Sequence, residues 1–560
     1  MEQADDDGIV ETVIDGVQTF WAPCDRPLRA ALTFRSGQAD ETYLTSGRSH
    51  LVEHLALFGL DDPAQHHNGH VDQTTTVFHT FGSPESVVDF LAHVCGQLSA
   101  PPLHRLTLER SVLAAERAGR GPSVSRLLAV WRFGAQGYGL VGSEALGEQL
   151  STAEQVSAWA GERYTRENAV LWLSGPPPAG LRLDLPSGIR FAPPTPRSLV
   201  GRLPAWLCED VGGIAMSSLM PRDSTTTTVL AAVEQRLHRR LRTQRAISYG
   251  PMVTYEPLSA DLAHIVIFAD STPARRAELA EAFSELITSL SFTAGEDVLH
   301  ERDHALQARL ATARERPDDL RLTQLRSRTL DALHGRPHLT FQELAARDGE
   351  VTVEQWRKAT IRLGTEALYV LPRSARLTET FGGAVPICAT PAVSSRRRRR
   401  HRDHPLVPHQ IMSTAEGVTR LLDGKPITVR YRDMVAAVRY PDGAVRLVGP
   451  DSTHLSIEPT LWRGGARLVA EVCERVDADR TVMMSPRRPV EVPRPGTTRW
   501  ARGWARLRWP ERRDVVAVLV AALGAFVLVA VGLLPELVAP IAMLTALICL
   551  LMLASWSQSG

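Results

Sequence analysis

One pattern of strand, turn and helix occurs twice in this sequence, and this repetition constrains the fold more than any other feature. Residues 77–84 form an apolar strand pattern that ends in Gly-Ser-Pro, and residues 266–273 form a similar pattern that ends in Ser-Thr-Pro. A helical pattern follows each copy and then reaches a Glu-Arg pair, Glu109-Arg110 in the first and Glu301-Arg302 in the second. Such a repeat predicts two similar α+β units, with chance similarity as the alternative.

Chain length and local composition predict further domains. At about 150 residues per domain, 560 residues favour three to four domains. We predict a first α+β half over 9–190, a second over 200–386, an arginine-rich linker over 387–405 and a small β-rich domain over 406–490. Short alternating strands and one closing helix make that small domain similar to a pleckstrin-homology fold. The arginine run at 396–400 is interpreted as solvated, with contact to lipid or nucleic acid as the alternative.

The charge balance and the cysteines exclude several classes of function. The chain has 63 basic and 62 acidic residues, a formal net charge of +1, so no overall field directs it to a polyanion. No nucleic-acid partner is therefore predicted. The six cysteines include no CxxC pair, which argues against a disulfide framework and against a thiolate zinc site.

Two apolar runs stand near the end of the sequence. Residues 515–534 and 537–554 carry no charge, and each is long enough to cross a bilayer as a helix. Arginines and tryptophans between 499 and 513 favour a cytoplasmic flank. We therefore expect a transmembrane helical hairpin over 515–554 that anchors a cytoplasmic chain in the cell membrane, with two core helices as the alternative.

The pentapeptide His50-Leu51-Val52-Glu53-His54 is the segment that most clearly indicates chemistry. On a helix, positions i, i+3 and i+4 share one face, so His50, Glu53 and His54 project together. Two imidazoles four residues apart can bind one Zn²⁺, and Glu53 would then lie beside the metal. An accidental polar helix face is the alternative.

A catalytic zinc site needs a third protein ligand, and the next helical segment offers two candidates. Glu109 and Glu116 fall on the same helical stripe as Val112 and Leu113. Carboxylates on a stripe that faces the core are costly unless they are paired, hydrogen-bonded or bound to metal. The alternative is an exposed face on which both glutamates pair with neighbouring arginines.

These segments together resemble the insulinase and pitrilysin (M16) metallopeptidase family. H-x-x-E-H is the inverted zinc motif of such enzymes, and the spacing of the two glutamates is similar to that of the family's partner helix. Residues 164–171, which begin Tyr-Thr-Arg-Glu-Asn, and residues 241–249, which begin Leu-Arg, are similar to two further family segments. The four motifs occur in family order, and the resemblance covers roughly residues 9 to 386.

Position by position, the resemblance implies a catalytic zinc centre. His50, His54 and Glu116 would bind the metal, Glu53 would be the general base, and Glu109 would orient a ligand. Because neither the base nor any ligand is missing, the resemblance favours an enzyme. The alternatives are a catalytically silent scaffold of the same family, or a lipid- or nucleic-acid-binding membrane adaptor.

The resemblance also implies a fold and a mode of action. The expected fold is α+β, with two homologous α/β-sandwich halves of the M16 type, of which only the first holds metal. Arg242 and Tyr249 of the second half would reach the substrate backbone, and a strand starting at 68–72 would pair with it. The expected activity is that of a membrane-anchored zinc metalloendopeptidase that cuts peptides or unfolded segments, either alone or as a homodimer.

Overall fold

The computed structural model describes residues 6–25, 27–60, 66–121, 123–386, 388–395, 398–402 and 409–495. Its strands form two six-stranded sheets and two four-stranded sheets. The six-stranded sheets belong to the first and second halves of the predicted repeat, and the smaller sheets follow them in the chain.

The first half is one sheet covered by helices. Its strands are β1 (Val10–Ile14), β2 (Val17–Trp21), β3 (Leu28–Phe34), β4 (His66–Val71), β5 (Thr76–Gly82) and β6 (Ala169–Leu173). Its helices are α1 (Arg48–Leu57), α2 (Pro84–Ser99), α3 (Leu106–Gly119), α4 (Val124–Phe133), α5 (Leu146–Leu150) and α6 (Ala153–Arg163). The strands lie in the order β1-β2-β6-β3-β5-β4, which leaves β4 at one edge.

The second half repeats this arrangement. Its strands are β7 (Ala205–Cys208), β8 (Gly213–Pro221), β9 (Met252–Pro257), β10 (Leu262–Asp270), β11 (Leu368–Leu371) and β12 (Gly383–Ala384). Its helices are α7 (Ser224–Leu237), α8 (Arg276–Leu290), α9 (Gly295–Glu315), α10 (Pro317–His334), α11 (Phe341–Gly349) and α12 (Val353–Thr365). The order β12-β7-β11-β8-β10-β9 places β8, β9 and β10 where the first half has β3, β4 and β5. The prediction of two similar α+β units is confirmed.

In the first half, the residues at 82–84 explain why the chain turns between β5 and α2. Ser83 ends the turn after β5, and its hydroxyl accepts a hydrogen bond from the Ser86 amide at 3.2 Å. Pro84 takes the first helical position, where its missing N–H costs nothing. The apolar face of α2 then packs into the core of the first half, with Val87 and Phe90 fully buried.

The two halves contact each other through buried polar side chains. From α4, Arg132 donates hydrogen bonds to the Ser217 carbonyl at 2.6 Å and to the Glu366 carbonyl at 2.9 Å. Burial lowers the pKa of the Arg132 guanidinium to about 10. At the edge strands, the Gln73 amide donates to the Glu256 carboxylate at 3.2 Å. The edges of the two sheets that carry β4 and β9 are therefore held near each other.

A smaller β-rich unit follows the second half. Its strands are β13 (Arg399–Arg400), β14 (Gln410–Ser413), β15 (Gly417–Leu422), β16 (Lys425–Arg430), β17 (Ala436–Arg439), β18 (Val445–Val448), β19 (His454–Ile457) and β20 (Thr481–Met483), and its helix is α13 (Gly465–Cys473). Arg399 belongs to the run that the sequence predicted to be solvated. It instead lies in a strand and pairs with Glu471 at 2.9 Å, with only 10% of its side chain exposed.

The predicted localisation as a two-span membrane protein facing the cytoplasm requires correction. No helix in the described part of the chain is both long and apolar enough to cross a bilayer. The longest of them, α9, has 21 residues and carries eight arginine or acidic side chains along its length. This finding overturns the localisation. The runs 515–534 and 537–554, on which the hairpin prediction depended, lie outside the described residues.

Candidate metal centre

Helix α1 is fixed at its start by a buried carboxylate. The Glu41 side chain accepts hydrogen bonds from the amides of Gly47 at 2.6 Å and Ser49 at 2.7 Å, which satisfies donors that the first helical turn leaves free. Burial raises the pKa of Glu41 to about 7. Gly47 has a φ of 82°, and a Cβ there would lie 2.9 Å from the Ala145 Cβ. A glycine is therefore needed where the chain enters α1.

The pentapeptide forms part of α1, as its spacing predicted, and brings three potential ligands together. Ligand atoms of His50, Glu53 and His54 all lie within 4.8 Å of one another. A Glu53 carboxylate oxygen is 3.8 Å from Nε2 of His50 and 3.9 Å from Nε2 of His54. Glu53 is 4% exposed, and burial raises its pKa, which makes it a better proton acceptor than an exposed glutamate.

Glu116, on α3, completes a set of donors that could share one ion. Its carboxylate oxygen lies 3.5 Å from Nε2 of His50 and 3.6 Å from Nε2 of His54. Two ligand atoms about 2.1 Å from a tetrahedral zinc are separated by about 3.4 Å. Two imidazole nitrogens and one carboxylate oxygen are a donor set that suits zinc, so these residues fit the metal that the resemblance implies.

The exposure of α3 differs from the sequence-based expectation of a stripe that faces the core. Glu109 and Leu113 are buried, but Val112 is 44% exposed and the Glu116 side chain is 41% exposed. Glu116 can remain at the surface because Arg120, one turn later, pairs with its carboxylate. Burial alone would raise the pKa of Glu116, but Arg120 and the two imidazoles outweigh it, and the pKa is lowered.

Each imidazole also has a carboxylate on the side of its Nδ1 atom. Glu109 lies 3.5 Å from Nδ1 of His54 and Glu148 lies 3.9 Å from Nδ1 of His50. Such carboxylates orient metal-binding histidines and raise their basicity. Glu148 is 3% exposed and stands on α5, far from the pentapeptide in sequence. Sequence reasoning missed it, since no local pattern distinguishes it from an ordinary helix residue.

The edge strand β4 passes directly over the candidate base. A Cβ built on Gly69 would clash with the Glu53 carboxylate oxygen, so any larger residue at this position would have to displace that carboxylate. The structure places the neighbouring histidines at 66, 67 and 70 in β4. His70 is 3.4 Å from Asp72, and the hydrogen bond to Asp72 raises the pKa of His70.

Replacing Gly69 with alanine should therefore displace the Glu53 carboxylate. A catalytic group shifted by about 1 Å can lose about 10²-fold in rate, and we expect that loss in peptide cleavage with metal content unchanged. Gly161→Ala is the matched control, because a Cβ at that position meets nothing within 4 Å. Equal cleavage rates for the two variants would show that β4 does not constrain Glu53.

Arg242 and Tyr249 lie together in the second half, apart from this cluster. Arg242 is in a π-helical turn over His238–Gln244, and its guanidinium lies 5.3 Å from the centre of the Tyr249 ring. Tyr249 is 81% exposed, and Asp270 fixes its turn by accepting from the Tyr249 amide at 3.0 Å. In the described residues, no hydrogen bond or ion pair joins either side chain to His50, Glu53 or His54.

In the second half, the glutamate at the repeated position forms an ion pair. Glu301 stands on α9 in the position that the repeat gives to Glu109 on α3. Arg236 of α7 donates to the Glu301 carboxylate from Nε at 3.0 Å and from Nη2 at 2.9 Å. The described part of the second half contains no cluster of histidine, cysteine and carboxylate ligands like that of the first.

Solved structures with a similar fold include M16 peptidases, the family that the motifs resemble. A protease from Helicobacter pylori is 14% identical and has a TM-score of 0.53 over 66% of this chain and 100% of its own. The first half of the periplasmic protease PqqL from Escherichia coli is 14% identical, with a TM-score of 0.50 over 68% of this chain and 94% of its own.

An inactive domain of an M16 peptidase from Pseudomonas fluorescens is also similar. It is 14% identical, with a TM-score of 0.50 over 66% of this chain and 98% of its own. No protein-family model matches the sequence, and no curated protein matches it. The described chain thus has the M16 peptidase fold, which is found both in proteases and in an inactive domain.

Proposed function

We propose that this chain is a zinc metallopeptidase that hydrolyses peptides or unfolded segments. The observation that carries the proposal is the position of Glu116, whose carboxylate oxygen lies 3.5 and 3.6 Å from Nε2 of His50 and His54. His50, His54 and Glu116 would hold the zinc, with Glu109 as a positioning residue for His54. When bound, zinc would act as a Lewis acid that polarises a peptide carbonyl and acidifies water.

Glu53 is assigned the proton transfers. Its buried carboxylate, with a raised pKa, accepts a proton from the attacking water at a side-chain oxygen. The same oxygen then delivers that proton to the leaving amine, so that one group serves both steps. Because Gly69 of β4 lies against Glu53, substrate that pairs with β4 would pass beside the base.

The edge position of β4 supports an extended peptide as substrate. Among the described strands, β4 pairs with β5 alone in the first sheet, so its other edge has backbone groups that an extended peptide can pair with. A folded protein seldom presents a free extended backbone, because its backbone groups are already paired. We therefore assign short peptides and unfolded segments as the substrate class.

The second half is proposed to contribute hydrogen-bond donors to this reaction. Tyr249→Phe removes one hydroxyl and should lower kcat by about 10²–10³-fold, the effect of losing a donor aimed at developing charge. Arg242→Ala should also raise KM. Zinc content and thermal stability should stay unchanged, because Tyr249 is 81% exposed. Normal cleavage by Tyr249→Phe would remove Tyr249 from the site.

One observation favours a second candidate, a silent peptide-binding scaffold. Arg120 pairs with Glu116, and its Nη2 atom lies 3.5 Å from Nε2 of His50. A cation at this position competes with a metal ion for the same ligands.

Metal analysis of the purified full chain together with Arg120→Gln separates the two candidates. For the peptidase we expect one zinc per chain in both proteins. A chain that binds zinc only after Arg120 is replaced would instead support the scaffold.

A further inference from the structure

The second half contains a large cavity with an excess of positive charge. It has a volume of about 670 Å³ and lies between the first turn of α7, strand β9 and helices α9, α10 and α11. That volume is within the range of small-molecule sites, roughly 300–1,000 Å³. Its charged lining residues are Arg222, Arg309, Arg326, Arg336, Arg347, Asp223, Asp331 and Glu350. The arginines exceed the carboxylates by two.

The carboxylates around the cavity do not neutralise all of these arginines. Asp331 accepts from Arg222 Nη2 at 2.8 Å, and Asp223 caps α7 by accepting from the Thr226 amide at 2.8 Å. Arg309 pairs with Asp348 at 2.6 Å. Over the described ranges, neither Arg326 nor Arg347 has a carboxylate within 4.0 Å. No carboxylate thus neutralises these two guanidinium groups, and that of Arg326 lies 5.7 Å from the centre of the Trp172 ring.

Two buried donors without partners also favour a ligand in this cavity. The Arg222 side chain is only 6% exposed, yet its Nε atom has no hydrogen-bond partner among the described residues. The Ser224 hydroxyl, at the first residue of α7, is buried and also has no partner there. Both residues line the cavity. Free donors of this kind favour an acceptor-rich ligand, since an unpaired buried polar group is costly.

The shape and charge of these donors favour a phosphate group over other anions. Guanidinium forks match the oxygens of a phosphate group in a bidentate geometry, and the N-terminus of α7 adds favourable potential for negative charge. Tyr255, Leu339 and Leu344 supply an apolar wall of the same cavity, suited to an organic group. We propose that this cavity binds a phosphate-bearing small molecule. None of its lining residues belongs to the candidate metal centre, so the site is independent of the proposed peptidase.

Calorimetric titration of the full chain with phenyl phosphate tests this proposal. We expect saturable binding that Arg326→Gln and Arg347→Gln each weaken by about 10-fold or more, the usual cost of one charge-assisted hydrogen bond. Arg357→Gln, an exposed arginine on α12 outside the cavity, should bind like the wild type. Glu116→Ala should do so as well, because the metal centre is not involved.

Four results would overturn the assignment. The first is the lack of binding up to about 10 mM, a very weak affinity for a small ligand. The second is equal affinity in the wild type and both cavity variants. The third is loss of binding in Glu116→Ala, which would place the phosphate at the metal centre. Tighter binding of benzoate than of phenyl phosphate would show that the cavity selects a carboxylate rather than a phosphate.

Discussion

Glu53→Gln is expected to lower peptide cleavage by at least about 10²-fold while zinc remains bound, since general acid–base catalysis contributes about 10²–10⁴-fold. Glutamine keeps the size and the hydrogen-bonding capacity of the side chain but cannot accept the proton. The buried position of Glu53, 4% exposed, leaves little room for water to take over its role.

The variant should be compared with wild type and with Glu162→Gln. Glu162 is a surface glutamate of the same half, with 55% of its side chain exposed. Initial cleavage rates on one fluorogenic peptide and zinc content by mass spectrometry are the two measurements. A Glu53→Gln protein that cleaves at close to the wild-type rate would remove Glu53 as the base, whatever its zinc content.

Glu116→Ala is expected to lose most of the bound zinc, because Glu116 supplies the only ligand from outside α1 in the proposed set. Glu109→Ala should retain zinc but bind it about 10- to 100-fold more weakly, the cost of a lost partner behind a ligand. Glu148→Ala should resemble Glu109→Ala, since Glu148 lies 3.9 Å from Nδ1 of His50.

Competition with a fluorescent zinc chelator measures these affinities, and Glu162→Ala is the control for loss of a surface carboxylate. If Glu109→Ala loses zinc more completely than Glu116→Ala, the two glutamates have exchanged roles. The Glu116 side chain is 41% exposed, so replacing it with alanine should not disturb the fold. Loss of zinc from Glu116→Ala would therefore not be explained by misfolding.

The repeat and the helix face of the pentapeptide could be predicted from the sequence because both depend on local spacing. The Gly-Ser-Pro turn at 82–84 predicts the start of α2, and the structure has Ser83 as its cap. The spacing of His50, Glu53 and His54 predicts one helix face, and the structure brings their ligand atoms within 4.8 Å. In each case, neighbours along the chain are also neighbours in space.

Features that depend on contacts between distant parts of the chain could not be predicted from the sequence. Glu148 reaches His50 only because α5 packs beside the start of α1, and Gly69 meets Glu53 only because β4 folds back over that helix. The exposure of Glu116 depends on Arg120, which a periodic pattern of apolar residues does not reveal. The arginine-lined cavity likewise combines residues from α7, β9, α9, α10 and α11.

Mass spectrometry of a diverse pool of unstructured peptides, incubated with the zinc-loaded full chain, tests the central claim most directly. We predict new peptide termini that vanish after chelation and return when one equivalent of zinc is restored, because the centre of His50, His54 and Glu116 would depend on the metal. A pool left intact by the zinc-loaded chain, or cut equally well after chelation, would contradict the assignment as a zinc metallopeptidase.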